Sequence, residues 1–301
     1  MSLEMLLGAE AGRALLTAWP ECPYTLTLPG DSPIGRAINA TTILGFLDAG
    51  CAPASYVNVY HEGEGVHPAR FTTDDRVTPA AVPVLLNQGC TIQLRELNRW
   101  HPPLGAICAS IQRQTGYPGY VTAFITPGGT QGLDYHWDQY LGIVVQLEGS
   151  KTWEVWKPKV TDPYRDHFMS TNLWDDKWVE QWKGSTPDQT FDLHAGQVLI
   201  LPRGWVHNPH SRNSAETSVH LTFVLKERTP LWVAERLVGS AINDARFRRV
   251  IPPQGLAASE MSKTINEVRS LVADYLDGVD PDALARALRY AAENETSHAT
   301  V

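Results

Sequence analysis

Five short runs of β-branched and aromatic residues between Tyr120 and Lys226 constrain the fold of this chain more than any other feature. The runs are YVTAFIT, YLGIVVQL, KTWEVW, QVLILP and SVHLTFVL. Val, Ile, Thr and aromatic side chains favour extended backbone. The segments between the runs (PGGTQG, EGS, HAGQ, PRGW and RNSAE) carry turn-forming residues. Regularly spaced strands of this kind predict a double-sheet jelly roll or barrel.

The N-terminal third has a mixed pattern. Apolar residues at helical spacing predict helices over residues 3–19, in ATTILGFLDAG and over residues 103–116. In contrast, ASYVNVYHEG is rich in β-branched and aromatic residues, and residues 90–98 alternate apolar with polar side chains. Both segments predict strands.

The C-terminal part becomes helical after about residue 230. PLWVAERLVGSAIND, SEMSKTINEVRSLVADYLDG and PDALARALRYAAENE each show helical apolar spacing, and the last has a helix start at Asp280. We therefore predict a mainly β domain with an N-terminal mixed segment over residues 1–229. A helical region over residues 230–295 and a tail over residues 296–301 follow it.

Composition narrows the class of protein. Lys and Arg total 25 against 33 Asp and Glu, a net charge of −8, which argues against nucleic acid as a partner. No apolar run is long enough to span a bilayer, and Glu4 and Glu10 disagree with a signal peptide. The four cysteines lack CxxC spacing and predict reduced thiols. The expected class is a cytoplasmic enzyme with no membrane partner.

A candidate metal site lies within the strand-rich region. In GTQGLDYHWDQY, His136 and Asp138 are two positions apart, so a strand directs both side chains to one face. About seventy residues later, His207 follows the strand QVLILP after a Pro-Arg-Gly turn. Two imidazoles and one carboxylate are the facial triad of non-haem Fe(II) oxygenases. The spacing predicts a metal site without specifying the metal, although an HxD pair also occurs on solvent-exposed strands.

Longer motifs carry a resemblance to a known family. FITPGGTQGLDYHWDQYLGIVVQLEGSKTWEVW and FDLHAGQVLILPRGWVHNPHS resemble the JmjC/cupin Fe(II)- and 2-oxoglutarate-dependent oxygenases, most closely the ribosomal-oxygenase branch, which hydroxylates protein side chains. The resemblance covers roughly residues 117–226. It implies a double-stranded β-helix core followed by a helical region of the dimerisation type. Short amphipathic helices rarely bury both faces alone, so the C-terminal helices also predict a homodimer.

The resemblance also implies roles for individual residues. It makes His136, Asp138 and His207 the ligands of Fe(II), and it places Lys151 where the family binds the distal carboxylate of the cosubstrate 2-oxoglutarate. Without the motif, the sequence predicts that Lys151 is a lysine at the end of a strand that points to solvent. Thr222 is a weaker correspondence, since a strand threonine also packs by its methyl group.

Two positions depart from the branch. Where its members often carry Asn and Tyr, this chain has Thr122 and Phe124. Thr122 retains a hydroxyl that can contact the cosubstrate, whereas Phe124 has no hydrogen-bonding group. The cosubstrate carboxylate is therefore expected to depend more on Lys151. In addition, the given sequence has about seventy helical residues after the β region, so the winged helix of that branch is not expected within it.

Three functions follow from these observations. The first is an Fe(II)/2-oxoglutarate-dependent dioxygenase that hydroxylates a side chain of a protein or peptide. The second keeps this chemistry but acts on a small metabolite or a biosynthetic precursor peptide, and the tryptophan-rich insertion at 161–189 favours it. The third is a non-catalytic metal-binding cupin module, which Thr122 and Phe124 leave open.

For the remaining polar and aromatic residues, we expect structural roles only. His210 is expected as a loop donor beside the site, and His220 as a strand residue that lines the pocket or is satisfied by a neighbour. Trp174, Trp178 and Trp182 are spaced to form one apolar stripe of a helix packed against the barrel.

Overall fold

A computed structural model describes residues 2–50, 52–164, 175 and 177–295. The chain divides into two compact units. The larger contains the chain up to Lys226, and the smaller is Glu227–Glu295. The predicted tail lies outside the described residues.

Fourteen strands, all paired antiparallel, are described in the larger unit. They are β1 Tyr24–Thr27, β2 Val57–His61, β3 Glu64–Gly65, β4 Thr72–Thr73, β5 Arg76–Val77, β6 Thr91–Leu94, β7 Gly119–Thr126, β8 His136–Trp137, β9 Leu141–Glu148, β10 Ser150–Trp156, β11 Gln189–His194, β12 Gln197–Leu201, β13 Val206–His210 and β14 Ser218–Leu225.

Two sheets form the core. The eight-stranded sheet has the order β1-β12-β9-β14-β7-β6-β2-β3, and the four-stranded sheet has the order β11-β10-β13-β8. Strands β4 and β5 form a separate hairpin. The five predicted strand runs are β7, β9, β10, β12 and β14, which confirms the predicted double-stranded β-helix core.

Alternation along the central strands separates two environments. In β7, Val121, Ala123 and Ile125 pack into the main apolar core together with the N-terminal helices. Their neighbours Thr122 and Phe124 face a cavity between the two sheets. Because successive side chains of a strand point to opposite faces, the same strand builds the core and the site.

Helices flank this core, as predicted. The described helices are α1 Leu3–Leu7, α2 Ala9–Thr17, α3 Pro33–Ala37, α4 Ala40–Asp48, α5 Ala81–Asn87, α6 Leu97–Trp100, α7 Pro102–Thr115, α8 Lys177–Lys183, α9 Pro230–Ser240, α10 Met261–Gly278 and α11 Pro281–Asn294.

The predicted helix over residues 3–19 is two helices. Gly8 has φ 97°, outside the right-handed helical region, and it separates α1 from α2. The two helices then cross closely, since a Cβ atom on Gly12 would lie 2.3 Å from the backbone nitrogen of Glu4. The periodicity correctly predicted that Leu6, Leu7 and Leu15 are buried, but Leu16 is 40% exposed and the turn at Gly8 was not located.

A tryptophan cluster covers the outer face of the four-stranded sheet. Trp137 and Trp156 pack with Trp182 and the partly buried Trp178 of α8. The ring centroids of Trp137 and Trp178 are 5.8 Å apart. Part of the predicted stripe therefore packs against the sheet, while Trp174 lies outside the described residues.

The smaller unit has the three predicted helices, joined by short 3₁₀ turns between α9 and α10. It exposes much apolar surface: Val250 is 88% exposed, Ile242 66% and Ile265 58%. None of the helices in the described part of the chain is long and apolar enough to cross a membrane.

Candidate active site

The cavity between the two sheets has a volume of about 340 Å³. All six residues that the sequence analysis assigned to the site line it: His136, Asp138, Lys151, Thr122, His207 and Thr222. Five of them lie on strands of both sheets, and Asp138 directly follows β8. The fold therefore brings together side chains that are far apart in the sequence.

Strand pairing brings the three candidate metal ligands together. In the antiparallel pair of β8 and β13, His136 lies directly opposite His207, and their ring centroids are 4.1 Å apart. Asp138 follows two positions after His136, and its Oδ2 lies 3.9 Å from His207 Nε2. One ligand atom from each of the three residues lies within 4.8 Å of the others.

Backbone carbonyls orient both imidazoles. His136 Nδ1 lies 2.6 Å from the carbonyl oxygen of Asp134, and His207 Nδ1 lies 2.9 Å from that of Trp205. A carbonyl oxygen only accepts hydrogen bonds, so each Nδ1 carries the hydrogen. Each Nε2 therefore keeps a lone pair for a metal ion, which is the usual way that proteins orient a histidine ligand.

The electrostatic environment favours ligation. Burial, with a contribution from His136, holds the pKa of His207 well below its usual range, so the ring is neutral. Burial also raises the pKa of Asp138, and His136 partly opposes this effect. A metal ion would compete with a single proton for that carboxylate. Two imidazole nitrogens and one carboxylate oxygen on one side of a cavity fit a divalent metal of the Fe(II) type.

Lys151 lies inside the cavity, and the solvent-facing alternative is wrong. Its side chain is 2% exposed, and Nζ donates a hydrogen bond of 2.8 Å to Thr126 Oγ1. Burial lowers the pKa of Lys151 to about 7. No carboxylate among the described residues lies within 4.0 Å of this Nζ. A buried ammonium without a counter-ion is costly, so this position fits the carboxylate of a ligand.

The chain passes closely over Lys151. A Cβ atom on Gly132 would lie 3.3 Å from Lys151 Nζ and 2.6 Å from the carbonyl oxygen of Pro209. Only glycine leaves space there. The glycine-rich turn before His136 therefore encloses the lysine.

Thr122 and Thr222 lie opposite each other on β7 and β14. Both are buried and both line the cavity. A Cβ atom on Gly142 would lie 3.5 Å from the Thr222 methyl group. Phe124 stacks on His220, with centroids 4.8 Å apart and planes 11° apart.

His220 and His210 differ in position. His220 lines the cavity, and its Nδ1 is buried with no hydrogen-bond partner among the described residues. His210 is buried on β13, three positions after His207, with Nε2 3.9 Å from Glu154 Oε2. It does not line the cavity. His210 therefore belongs to a strand, whereas the sequence predicted a loop.

Sequence reasoning missed other residues at the site. Thr126, the only hydrogen-bond partner of Lys151 among the described residues, shares strand parity with Thr122, so alternation was the available signal. Asn58, Gln93 and Arg95 also line the cavity. They come from the mixed N-terminal third, where no motif marks them.

Comparison with known proteins agrees with this geometry. Residues 94–229 match the family model described as the JmjC domain. The chain is similar to ribosomal oxygenase 1 of Gallus gallus, with 27% identity over 66% of this chain and 33% of the relative. It is also similar to the bifunctional lysine-specific demethylase and histidyl-hydroxylase NO66 of Caenorhabditis elegans, with 29% identity over 55% of this chain and 21% of the relative. The chain thus spans about a third or less of these relatives.

Solved structures share the fold. YcfD, a ribosomal oxygenase from Escherichia coli in complex with cobalt and succinic acid, aligns with a TM-score of 0.58 and 14% identity, over 98% of this chain and 73% of that one. The same protein in complex with cobalt and 2-oxoglutarate aligns with a TM-score of 0.56. At this identity the likeness concerns the fold.

Proposed function

We propose that this chain, in which residues 94–229 form a JmjC domain, is an Fe(II)- and 2-oxoglutarate-dependent oxygenase that hydroxylates a side chain of a protein or peptide. One observation carries the proposal: two imidazoles fixed by backbone carbonyls and one carboxylate share a cavity with a buried lysine that has no carboxylate partner among the described residues.

His136, Asp138 and His207 would hold the iron, and Lys151 would bind the distal carboxylate of 2-oxoglutarate. When bound, Fe(II) with 2-oxoglutarate and O₂ supplies the oxidation, in which one oxygen atom enters a substrate C–H bond as a hydroxyl group and the other enters succinate, with release of CO₂. Thr122 and Thr222 would contribute hydroxyl groups beside the cosubstrate.

The residues of the chain contribute binding, orientation and exclusion of water. The carbonyls of Asp134 and Trp205 keep each Nε2 directed at the metal position. Trp153 and Leu201, which belong to the buried apolar cluster between the sheets, form apolar parts of the cavity wall. This wall limits access of water to the reacting groups, which strengthens electrostatic interactions inside the cavity.

The relatives support a protein or peptide substrate, because they include ribosomal oxygenases and a histidyl-hydroxylase. The test is to incubate the protein with Fe(II), 2-oxoglutarate and candidate peptides. We expect succinate release together with the gain of one oxygen atom in a peptide, detected by mass spectrometry.

The same experiment separates the alternatives. Oxygen gain in a small molecule, with no peptide modified, would favour metabolite chemistry. Tight iron binding with no succinate release for any substrate would favour a non-catalytic module.

Two further properties belong to this proposal. We propose a cytoplasmic location, and a homodimer formed through the helical unit. The dimer is supported by apolar side chains exposed on that unit, among them Val250, Ile242 and Ile265, because large exposed apolar areas mark interaction sites. Sedimentation is expected to give a dimer at micromolar concentration, and a monomer would contradict it.

A further inference from the structure

His220 is a buried polar side chain that lines the cavity without a hydrogen bond to any described residue. It is 2% exposed. Its Nδ1 is fully enclosed and has no hydrogen-bond partner among the described residues. Its Nε2 has no partner among them either, but it does not belong to the enclosed atoms. Of the two ring nitrogens, Nε2 is therefore the one that a ligand in the cavity can reach.

The enclosure of Nδ1 also determines which ring nitrogen carries the hydrogen. Burial holds the pKa of His220 well below its usual range, and the charge of Lys151 adds to this effect, so the ring is neutral. A neutral imidazole has one N–H donor and one acceptor nitrogen. Proteins leave a buried N–H donor unpaired more rarely than a buried acceptor, so the hydrogen lies on Nε2. His220 thus directs a donor at the cavity.

Two aromatic side chains hold the imidazole in place. The ring stacks on Phe124, its partner in the pairing of β7 with β14, with centroids 4.8 Å apart and planes 11° apart. Trp153 packs edge-on against the same ring, with centroids 5.5 Å apart. Phenylalanine has no hydrogen-bonding group and an indole only donates. Packing therefore fixes the ring while its N–H group stays available to a ligand.

Two strands place His220 beside the ammonium group of Lys151. Lys151 Nζ donates to Thr126 Oγ1 at 2.8 Å. Thr126 lies two positions after Phe124 on β7, so both side chains point to one face, about 7 Å apart along the strand. Trp153 lies two positions after Lys151 on β10 and contacts the imidazole from the other sheet. The donors of His220 and Lys151 therefore lie at the same end of the cavity.

Two neighbouring donors define the chemistry of the ligand group that fits between them. A protonated lysine has three N–H donors, and Lys151 uses one of them on Thr126. His220 adds another. A carboxylate accepts several hydrogen bonds through its two oxygens, whereas an ammonium group can pair with neither donor. This end of the cavity fits a carboxylate that is held by two side chains.

We infer that His220 is a second cosubstrate-binding residue, whose Nε2–H group donates to the distal carboxylate of 2-oxoglutarate beside Lys151. The inference rests on the proposed function. Phe124 has no hydroxyl group to offer at this level of the strand pair, and the imidazole stacked on it supplies the hydrogen bond instead. His220 therefore contributes to the affinity for the cosubstrate and not to the affinity for the metal.

The test measures the binding of two ligands to the Mn(II)-loaded full chain by calorimetry. 2-Oxoglutarate has the distal carboxylate, and 2-oxopentanoate has a methyl group in its place. His220→Phe keeps an aromatic ring but removes the donor. The 2-oxoglutarate affinity should then fall about tenfold, as expected for a lost hydrogen bond to a charged group. The affinities for 2-oxopentanoate and for Mn(II) should change less than about twofold.

Two further variants separate the donor from the shape of the side chain. His220→Gln keeps an N–H donor at the end of the side chain, so its 2-oxoglutarate affinity should stay within about threefold of the wild-type value. His61→Phe makes the matched substitution at an exposed position at the end of β2. It should bind both ligands as the wild type does.

The wild-type chain provides a measurement that needs no altered binding residue. In Zn(II)-loaded protein with ¹⁵N-labelled histidine, NMR reports which ring nitrogen carries the hydrogen, and the His220 signals are assigned by their absence from His220→Gln. We expect the hydrogen on Nε2, and a shift of this N–H signal when 2-oxoglutarate is added.

Three results would overturn the inference. They are an unchanged 2-oxoglutarate affinity in His220→Phe, an equal loss of affinity for both ligands in that variant, and a hydrogen on Nδ1 of His220 in the wild type. If His220→Phe also loses Mn(II), the NMR result decides. Failure of the proposed function is distinguishable, since the metal-loaded wild type would then not bind 2-oxoglutarate, and the inference would fail with it.

Discussion

The two ends of the cavity hold their polar groups in different ways. At the end that we propose binds the metal (below, the metal-binding end), the Nδ1–H groups of His136 and His207 donate to backbone carbonyls, so each ring is oriented before any ligand arrives. At the other end, Lys151 Nζ donates to Thr126 Oγ1, and no carboxylate among the described residues lies within 4.0 Å. The metal-binding end is organised by hydrogen bonds, whereas the cosubstrate end is a buried charge that a ligand must neutralise.

Because of this difference, the two ends should respond differently to mutation and to pH. Backbone carbonyls do not titrate, so the orientation of the imidazoles is independent of the protonation of Lys151. Binding of a carboxylate, in contrast, depends on whether Lys151 is charged. The two ends should therefore be separable by mutation and by pH.

The largest effect is expected from the metal-binding end. Asp138→Ala removes the only carboxylate among the candidate ligands, so the affinity for Mn(II) should fall at least about a hundredfold and succinate release should be lost. Calorimetry and a succinate assay measure the two quantities. Asp48→Ala, at an exposed position at the end of α4, should behave as the wild type. Metal binding retained in Asp138→Ala would contradict the assigned ligand set.

Lys151→Met tests the other end. The affinity for 2-oxoglutarate should fall about a hundredfold while Mn(II) affinity changes less than about threefold, because a charge-assisted contact is lost at one end only. Lys157→Met, at an exposed position just beyond β10, is the matched control. Parallel loss of metal and cosubstrate binding would show that the two ends are not independent.

The same variant should stabilise the ligand-free protein. The pKa of Lys151 is lowered to about 7 in the folded state, whereas an exposed lysine titrates near 10.4. The unfolded chain therefore binds more protons between these values, and the lysine destabilises the fold most below pH 7. The melting temperature of Lys151→Met should exceed that of the wild type at pH 7, and the difference should shrink toward pH 10. A lower melting temperature at pH 7 would contradict burial of an unpaired cation.

The lowered pKa of Lys151 should also make cosubstrate binding depend on pH. A bound carboxylate favours the protonated form of Lys151. Above pH 7, binding of 2-oxoglutarate is therefore coupled to the uptake of a proton by this lysine. The 2-oxoglutarate affinity should fall by up to about tenfold per pH unit above pH 7, and calorimetry in buffers of different ionisation enthalpy should show proton uptake. The neighbouring His220 is held neutral by burial and should not contribute. A constant affinity from pH 6.5 to 8.5 would count against this account.

The smallest effect is expected at Thr126. Thr126→Val keeps the shape of the side chain but removes the hydrogen-bond partner of Lys151, so the 2-oxoglutarate affinity should fall about three- to tenfold. Metal affinity should not change. Thr190→Val, at an exposed position on β11, controls for the substitution itself. A change of similar size in 2-oxoglutarate affinity in that variant would contradict a specific role of Thr126.

Individual residues show which parts of the fold and the site could be predicted from the sequence. Alternation placed His136 and Asp138 on one face, and the structure agrees. The same rule applied to KTWEVW places Lys151 on the same face as Trp153, which is buried. A lysine by itself predicts a side chain that points to solvent. Only the family resemblance predicted that Lys151 faces the site. The strand β13 was missed because it contains Pro209, a residue that is rare within sheets.

Local patterns in the sequence specify the chemistry available to this protein: two histidines and an aspartate at predicted strand positions, turns between the strands, and which side chains share a face. These properties are local, because backbone geometry makes side chains alternate along any strand. The pairing of β8 with β13, which sets His136 opposite His207, follows from the tertiary structure alone. The same is true of the cavity that Arg95 and Asn58 both line. Such juxtapositions depend on packing between distant segments, which no local pattern specifies.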